Sequence, residues 1–146
     1  MSSAGLSLIH RDSRVPQNTR QLGPYAIEEL ISASEEGAGT VHRVGIPAGT
    51  ATAASVHRAA EEYYYVLSGT GIVVLDGTPH DLAPGHFLRL PPGTVHQFTT
   101  ADSALELLNI HTPGCRPDRD TFFVGDAPEG FGGCDASAAG TPLATK

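Results

Sequence analysis

Short β-forming segments, most of them separated by turns that contain glycine or proline, run through the middle of this chain and constrain its fold more than any other feature. The turn-like stretches "PAGT", "SGTG", "DGTP", "APGH" and "PPGT" separate "TVHRVGI", "EEYYYVLS", "GIVVLDG", "HFLRL", "HQFTT" and "LELLNIH". Strands of roughly 4–8 residues between regularly spaced turns are typical of an all-β sandwich or barrel. The Asp-Gly pair in "LDGTPHDL" predicts a hairpin turn. The segment "AIEELIS" fits either a helix or an edge strand.

Composition and charge narrow the range of partners. The 146 residues suffice for one domain with a core, and a net charge of -7 argues against nucleic acid, because phosphate binding needs a basic surface. No apolar stretch approaches the roughly 18 residues of a membrane helix. The N-terminus also lacks the pattern of a secretory signal. We therefore expect a cytoplasmic protein, with no nucleic acid or membrane partner, that binds a small molecule or a second copy of itself.

The two ends of the chain differ from its middle. Residues 1–22 are polar and predict an irregular N-terminal arm, residues 23–125 form the expected barrel domain, and the small-residue-rich residues 126–146 predict a flexible tail. Both cysteines, Cys115 and Cys134, lie in the irregular C-terminal third of the chain. They match no metal-ligand spacing and no disulfide framework, so no role is expected for them.

Two blocks of the sequence carry the candidate chemistry. Side chains two positions apart along a strand share a face. The sets that share a face are His96, Phe98 and Thr100, then Glu62, Tyr64 and Val66, and then Ser55 and His57. If these faces meet inside one barrel, two imidazoles and a carboxylate converge there. Such a set can hold a divalent metal and leave positions open for substrate, water or oxygen.

The first block resembles the first motif of the cupin superfamily, whose members form a small double-stranded β-helix barrel. That motif is G-x5-H-x-H-x3,4-E-x6-G. This sequence matches it at Gly49, His57, Glu62 and Gly69, and Ser55 stands where the first histidine is expected.

The second block resembles the second cupin motif, G-x5-P-x-G-x2-H-x3-N. The matching residues are Gly85, Pro91, Gly93 and His96, with Thr100 in place of the usual asparagine. The two motifs together span about residues 45–113. The resemblance implies an all-β double-stranded β-helix, a jelly-roll-like barrel.

The resemblance also implies a metal site, which its best-equipped members build from three histidines and one glutamate. Carried over by position, His57, Glu62 and His96 are the candidate ligands. The Ser55 hydroxyl is a poor transition-metal ligand, so a 2-His/1-Glu set remains, which suits Fe(II) best and also fits Zn, Mn or Ni. The alternative is a barrel without metal, in which His57 and His96 only form hydrogen bonds with a substrate.

Other residues have roles that depend on where their side chains point. Tyr64 and His96 are candidate catalytic groups, with Tyr64 as a hydrogen-bond donor or general acid. The candidates for contact with a substrate are Ser55, Phe98, Thr100 and His111. His111 either replaces the missing ligand or is a buried or rim histidine. Exposed or edge positions are expected for His10, His42, His80 and His86. Tyr63 and Tyr65 point outward, where they suit the subunit interface of a homodimer.

Three functions fit these residues. The first is a metal-dependent enzyme on a small organic substrate, a dioxygenase, an isomerase or cyclase, or a decarboxylase, similar to tailoring enzymes of bacterial secondary metabolism. The second is a non-catalytic module that binds a small molecule. The third is a metal-free isomerase or cyclase that uses His57, His96 or Tyr64 for acid–base chemistry.

Overall fold

The computed structural model describes residues 5–131, and these residues form strands with almost no helix. The strands are β1 (Thr19–Leu22), β2 (Tyr25–Glu29), β3 (Thr40–Ile46), β4 (Ser55–Val56), β5 (Glu61–Ser68), β6 (Gly71–Leu75), β7 (Thr78–Leu82), β8 (Phe87–Leu90), β9 (His96–Thr99), β10 (Leu105–Thr112) and β11 (Phe122–Phe123). A single-turn 3₁₀ helix spans Ala33–Glu35. Within the described residues, no helix is long and apolar enough to cross a membrane.

The strands form two sheets in which neighbouring strands are antiparallel. One sheet has six strands in the order β1-β2-β3-β10-β5-β8, and the other has five in the order β11-β4-β9-β6-β7. Strand β10 lies in the middle of the larger sheet and pairs along most of its length with β3 and β5. The predicted all-β, jelly-roll-like fold is confirmed.

Alternating side chains explain why these segments pack as a barrel. Along β3, every second residue is buried, and β10 shows the same alternation. The buried faces of both sheets therefore meet in one core. That core consists of Val44, Ile46, Tyr64, Val66, Val73, Leu82, Leu90, Phe98, Leu105 and Leu107.

Local turn chemistry gives the hairpin that the sequence predicts. Leu75 of β6 pairs with Thr78 of β7, so only two residues form the turn between them. Both turn residues, Asp76 and Gly77, have positive φ, as the mirror-image turns of tight hairpins require. The ambiguous segment "AIEELIS" contributes strand β2, so it is a strand and not a helix, but it lies between β1 and β3 and not at the edge of the sheet.

The described parts of both predicted terminal segments contain ordered residues. The irregular arm is shorter than predicted, because Thr19–Leu22 forms an edge strand on β2. The predicted tail begins with packed residues: the Phe131 ring lies 5.1 Å from Phe123 and 6.0 Å from Tyr25, centroid to centroid. Residues 132–146, with Cys134 and the rest of the tail, lie outside the described residues.

The outer face of β5 and β8 carries exposed aromatic side chains. Tyr65 is 45% exposed and Phe87 is 61% exposed, and the rings of Tyr63 and Phe87 stack with centroids 6.1 Å apart. Tyr63 and Tyr65 thus point away from the core, as parity predicts. The homodimer stays a prediction.

Alanine substitutions at two glycines with nearly equal φ distinguish the cost of backbone strain from the cost of steric overlap. Gly69 has φ +83 and Gly77 has φ +84; a Cβ at Gly69 would overlap the Ala104 carbonyl oxygen, whereas a Cβ at Gly77 meets no atom within 4 Å. We expect Gly77→Ala to lower the free energy of unfolding by about 1–2 kcal/mol, from the left-handed conformation alone. Gly69→Ala should lower it by about 3 kcal/mol or more. Urea unfolding measures both, and equal losses would contradict the overlap.

Candidate metal centre

A cavity lies between the two sheets, with a polar floor and an apolar wall. The floor is formed by His42, Ser55, His57, Glu62, His96, Asn109 and His111. The wall is formed by Leu22, Tyr25, Ile27, Val44, Phe123 and Phe131. Because the polar residues come from strands of both sheets, the floor exists only in the closed barrel.

Three of the floor residues bring their potential ligand atoms together. Glu62 is the second residue of β5, His96 is the first residue of β9, and His57 directly follows β4. The Glu62 Oε1 atom lies 3.4 Å from His57 Nε2 and 3.2 Å from His96 Nε2. All three ligand atoms lie within 4.8 Å of one another, and all three residues are buried. The structure thus brings the predicted set together.

Backbone carbonyls fix the tautomers of both histidines. The His57 Nδ1 atom lies 2.7 Å from the Asp120 carbonyl oxygen, and His96 Nδ1 lies 3.0 Å from the Thr94 carbonyl oxygen. A carbonyl oxygen only accepts, so each Nδ1 carries the proton and donates it. In the neutral rings, the lone pair on each Nε2 therefore points toward Glu62. This is the arrangement in which histidines bind metals.

The two oxygens of Glu62 have different surroundings. Asn109 Nδ2 donates to Oε2 at 2.9 Å, and His111 Nε2 lies 2.7 Å from the same oxygen. The other oxygen, Oε1, is buried and has no hydrogen-bond partner among the described residues. When both imidazoles are neutral, two Nε2 lone pairs and a carboxylate oxygen converge, and no donor among the described residues satisfies that oxygen. A divalent cation fits this donor set.

Ser55 stands where the first motif histidine is expected, and His111 is the candidate to replace that histidine. Both residues border the ligand atoms of His57, Glu62 and His96. Ser55 Oγ lies 3.3 Å from His96 Nε2, so the hydroxyl is next to the ligand atoms. His111 Nε2 lies 3.3 Å from His57 Nε2 but bonds to Glu62, and in this arrangement it orients the carboxylate. His111 also forms a second candidate ligand group with His57 and Cys115.

Electrostatics favour a charged pair in the metal-free site. Burial by itself raises the pKa of Glu62, but His57, His96 and His111 hold it well below its usual value. Burial opposes protonation of His57, yet Glu62 and Cys115 raise its pKa well above the usual value. For His96, burial outweighs the attraction of Glu62 and lowers the pKa. These directions favour a protonated His57 beside an ionised Glu62 when no metal is bound.

A family profile described as Cupin domain matches residues 38–111, just over half of the chain. This chain belongs to the cupin family. An uncharacterized protein of Methanocaldococcus jannaschii is 35% identical to this cupin over 53 residues, which are 36% of this chain and 42% of that protein. The chain therefore matches less than half of that relative's length.

Two solved structures resemble this cupin at similar levels. A cupin protein of Bacteroides fragilis is 31% identical with a TM-score of 0.56, and the match covers 60% of this chain and 76% of that protein. A DMSP lyase of Ruegeria pomeroyi is 27% identical with a TM-score of 0.56, covering 61% of this chain and 47% of the lyase. Enzymes thus occur among the structural neighbours of this chain.

Side chains that share a face of a strand do not all reach the cavity, because they lie at different distances along the strand. Tyr64 lines the cavity, and its ring packs against Phe98, 5.1 Å away. Phe98 is 1% exposed and belongs to the core, outside the residues that line the cavity. Thr100 bonds instead to Pro47 and Thr50. A strand rises by about 3.3 Å per residue, so Thr100 lies too far from His96 to serve the same site.

One histidine that the sequence assigned to an exposed or edge position lies in the cavity. His42 is 6% exposed and lines the floor, and burial, then His111 and Arg116, lower its pKa to about 4. His42 lies on the same face of β3 as the inward-facing Val44 and Ile46, and this alternation could have identified it as a buried residue. The other three histidines, His10, His80 and His86, are exposed as predicted.

Asp120 is a positioning residue that the motifs do not contain. Its carboxylate accepts hydrogen bonds from the backbone N–H groups of Arg58, Ala59 and Ala60, at distances of 2.7–3.2 Å. Its carbonyl accepts from His57. Asp120 has φ +60, which turns both groups toward the same segment. Buried Cys115 lies in the same loop, 3.2 Å from His57 Nδ1. These contacts join residues about 60 positions apart, so no local sequence signal reveals them.

Loss of the Asp120 carboxylate should weaken metal binding without unfolding the barrel. We expect Asp120→Ala to raise the dissociation constant for Zn²⁺ about 10–100-fold, the range typical of groups that orient a ligand histidine. Asp118→Ala, which changes an exposed residue of the same loop, is the matched control. Competition with a chromophoric chelator measures the affinity, and circular dichroism checks the fold. Equal affinities in both variants would contradict the positioning role.

Metal binding should displace the His57 proton. Because its pKa lies well above the usual value, metal-free His57 carries a proton on Nε2 at neutral pH, where the metal would bind. Affinity for Zn²⁺ should therefore fall about tenfold for each unit that the pH drops below that pKa. Calorimetry in two buffers with different ionisation enthalpies should show about one proton released per ion. Release of no proton, or affinity that rises toward acid pH, would contradict this assignment.

Proposed function

We propose that this cupin is a metal-dependent enzyme that carries out proton-transfer chemistry, such as isomerisation, cyclisation or decarboxylation, on a small organic substrate. The observation that carries the proposal is the buried Oε1 of Glu62, which lacks a hydrogen-bond partner among the described residues and faces the Nε2 atoms of His57 and His96. The similarity to a solved lyase structure supports an enzymatic role.

The two histidines and Glu62 hold the metal, and Fe(II) suits this 2-His/1-carboxylate set best, with Zn, Mn or Ni as alternatives. When bound, the divalent ion supplies a Lewis acid with open positions for a substrate oxygen. Asn109 and His111 keep the carboxylate oriented by bonding to its other oxygen. Ser55, next to His96, leaves room on the side where a third motif histidine would stand.

Tyr64 supplies the proton that is transferred to the substrate. Burial and the neighbouring Glu62 carboxylate raise the pKa of Tyr64 well above its usual value, so the phenol stays neutral and holds its proton. A neutral hydroxyl that lines the cavity beside the donor set can donate to a reacting group of the substrate. The apolar wall of the cavity keeps bulk water from this transfer.

Metal analysis of the purified protein tests the proposal. Protein prepared without an affinity tag should contain about one divalent ion per chain, and His96→Ala should lose it because one of only three ligands is removed. His80→Ala, which changes an exposed histidine of β7, should keep the ion. Elemental mass spectrometry gives both the amount and the identity of the metal. Wild-type protein that neither contains metal nor takes it up after reconstitution would overturn the proposal.

A further inference from the structure

The mouth of the cavity carries an arginine on an edge strand. Along β1, side chains alternate between faces, so Arg20 and Leu22 point to the same side. Leu22 is buried at 4% exposure and belongs to the apolar wall. Arg20 is exposed but also lines the cavity. Arg20 therefore borders both solvent and the cavity.

The charges around the cavity are balanced except at this position. Glu62 is surrounded by three histidines. Glu29 is paired with Arg116 at 2.8 Å, and Arg116 also bonds to Glu36 at 3.0 Å. Within residues 5–131, the guanidinium of Arg20 has neither an ion pair nor a hydrogen bond. The lining thus offers one cationic group that is available to a ligand, in a chain whose net charge is -7.

Besides Arg20 and the polar floor, the cavity lining includes an apolar and partly aromatic wall. Leu22, Phe123 and Phe131 form one cluster, and Tyr25 and Ile27 pack against it. All five residues line the cavity. A ligand that contacts both Arg20 and the floor shares the cavity with this surface, which favours an apolar or aromatic body over a heavily hydroxylated one.

We propose that the substrate is an organic anion with an apolar body, whose carboxylate or phosphate group binds Arg20 while the reacting end faces His57, Glu62 and His96. Arginine suits this role because its planar guanidinium can bond to either anion through two N–H groups. The inference rests on the proposed function, because it takes the floor of the cavity as the reacting end.

Three matched probes test the inference on the metal-loaded protein: phenylacetate, phenyl phosphate and the neutral phenylacetamide. Calorimetry should show that at least one anion binds about fivefold to tenfold more tightly than the amide, the effect expected of one partly exposed charged contact. Arg20→Gln should remove this preference. Arg89→Gln, an exposed arginine on β8 at the opposite edge of the same sheet, should retain it. The two anions distinguish a carboxylate site from a phosphate site.

Several results would overturn the inference. One is equal affinity for the anions and the amide, and another is no binding of any probe. A third is an anion preference that persists in Arg20→Gln, because the anion would then bind the metal. Metal content measured in the same samples separates this inference from the proposed function. A loaded site without anion preference refutes only the role of Arg20. An anion preference that depends on Arg20 in protein that takes up no metal supports Arg20 and refutes the metal-dependent enzyme.

Discussion

The buried carboxylate of Glu62 is the constraint on which the arrangement of this site depends. Glu62 is only 1% exposed. Burying an ionised carboxylate in a barrel interior costs several kcal/mol of folding free energy unless other groups compensate its charge. Three histidines and Asn109 surround it, and they come from β9, β10 and the segment after β4. Both sheets must therefore close around Glu62 before its charge is compensated, so fold and site form together.

The same carboxylate explains how a proton and a metal compete in one place. Without metal, the raised pKa of His57 favours a positive charge there that would compensate Glu62; a bound cation would take over that role. Asp120 makes either state possible, because it holds the other nitrogen of the His57 ring and the segment behind it. A loop outside the family motifs thus controls the orientation of a motif residue.

Much of the fold and part of the site could be predicted from local patterns. Alternation and turn residues predicted the strands and the Asp76-Gly77 hairpin, and motif spacing selected His57, Glu62 and His96. For Phe98 and Thr100, the alternation of side chains predicted the face of the strand but could not give the depth along it. Asp120 and Cys115 were missed because their contacts with His57 span about 60 residues of sequence.

The sequence by itself determined an all-β barrel of the cupin type and the three residues that meet in it, since strand alternation and turn chemistry act over a few neighbouring residues. Only the tertiary structure decided what surrounds those residues. It set His111 against Glu62 and placed Arg20 on the cavity lining, because each of these positions depends on which strands lie side by side. Pairing between distant strands is a property of the closed barrel, and no local segment encodes it.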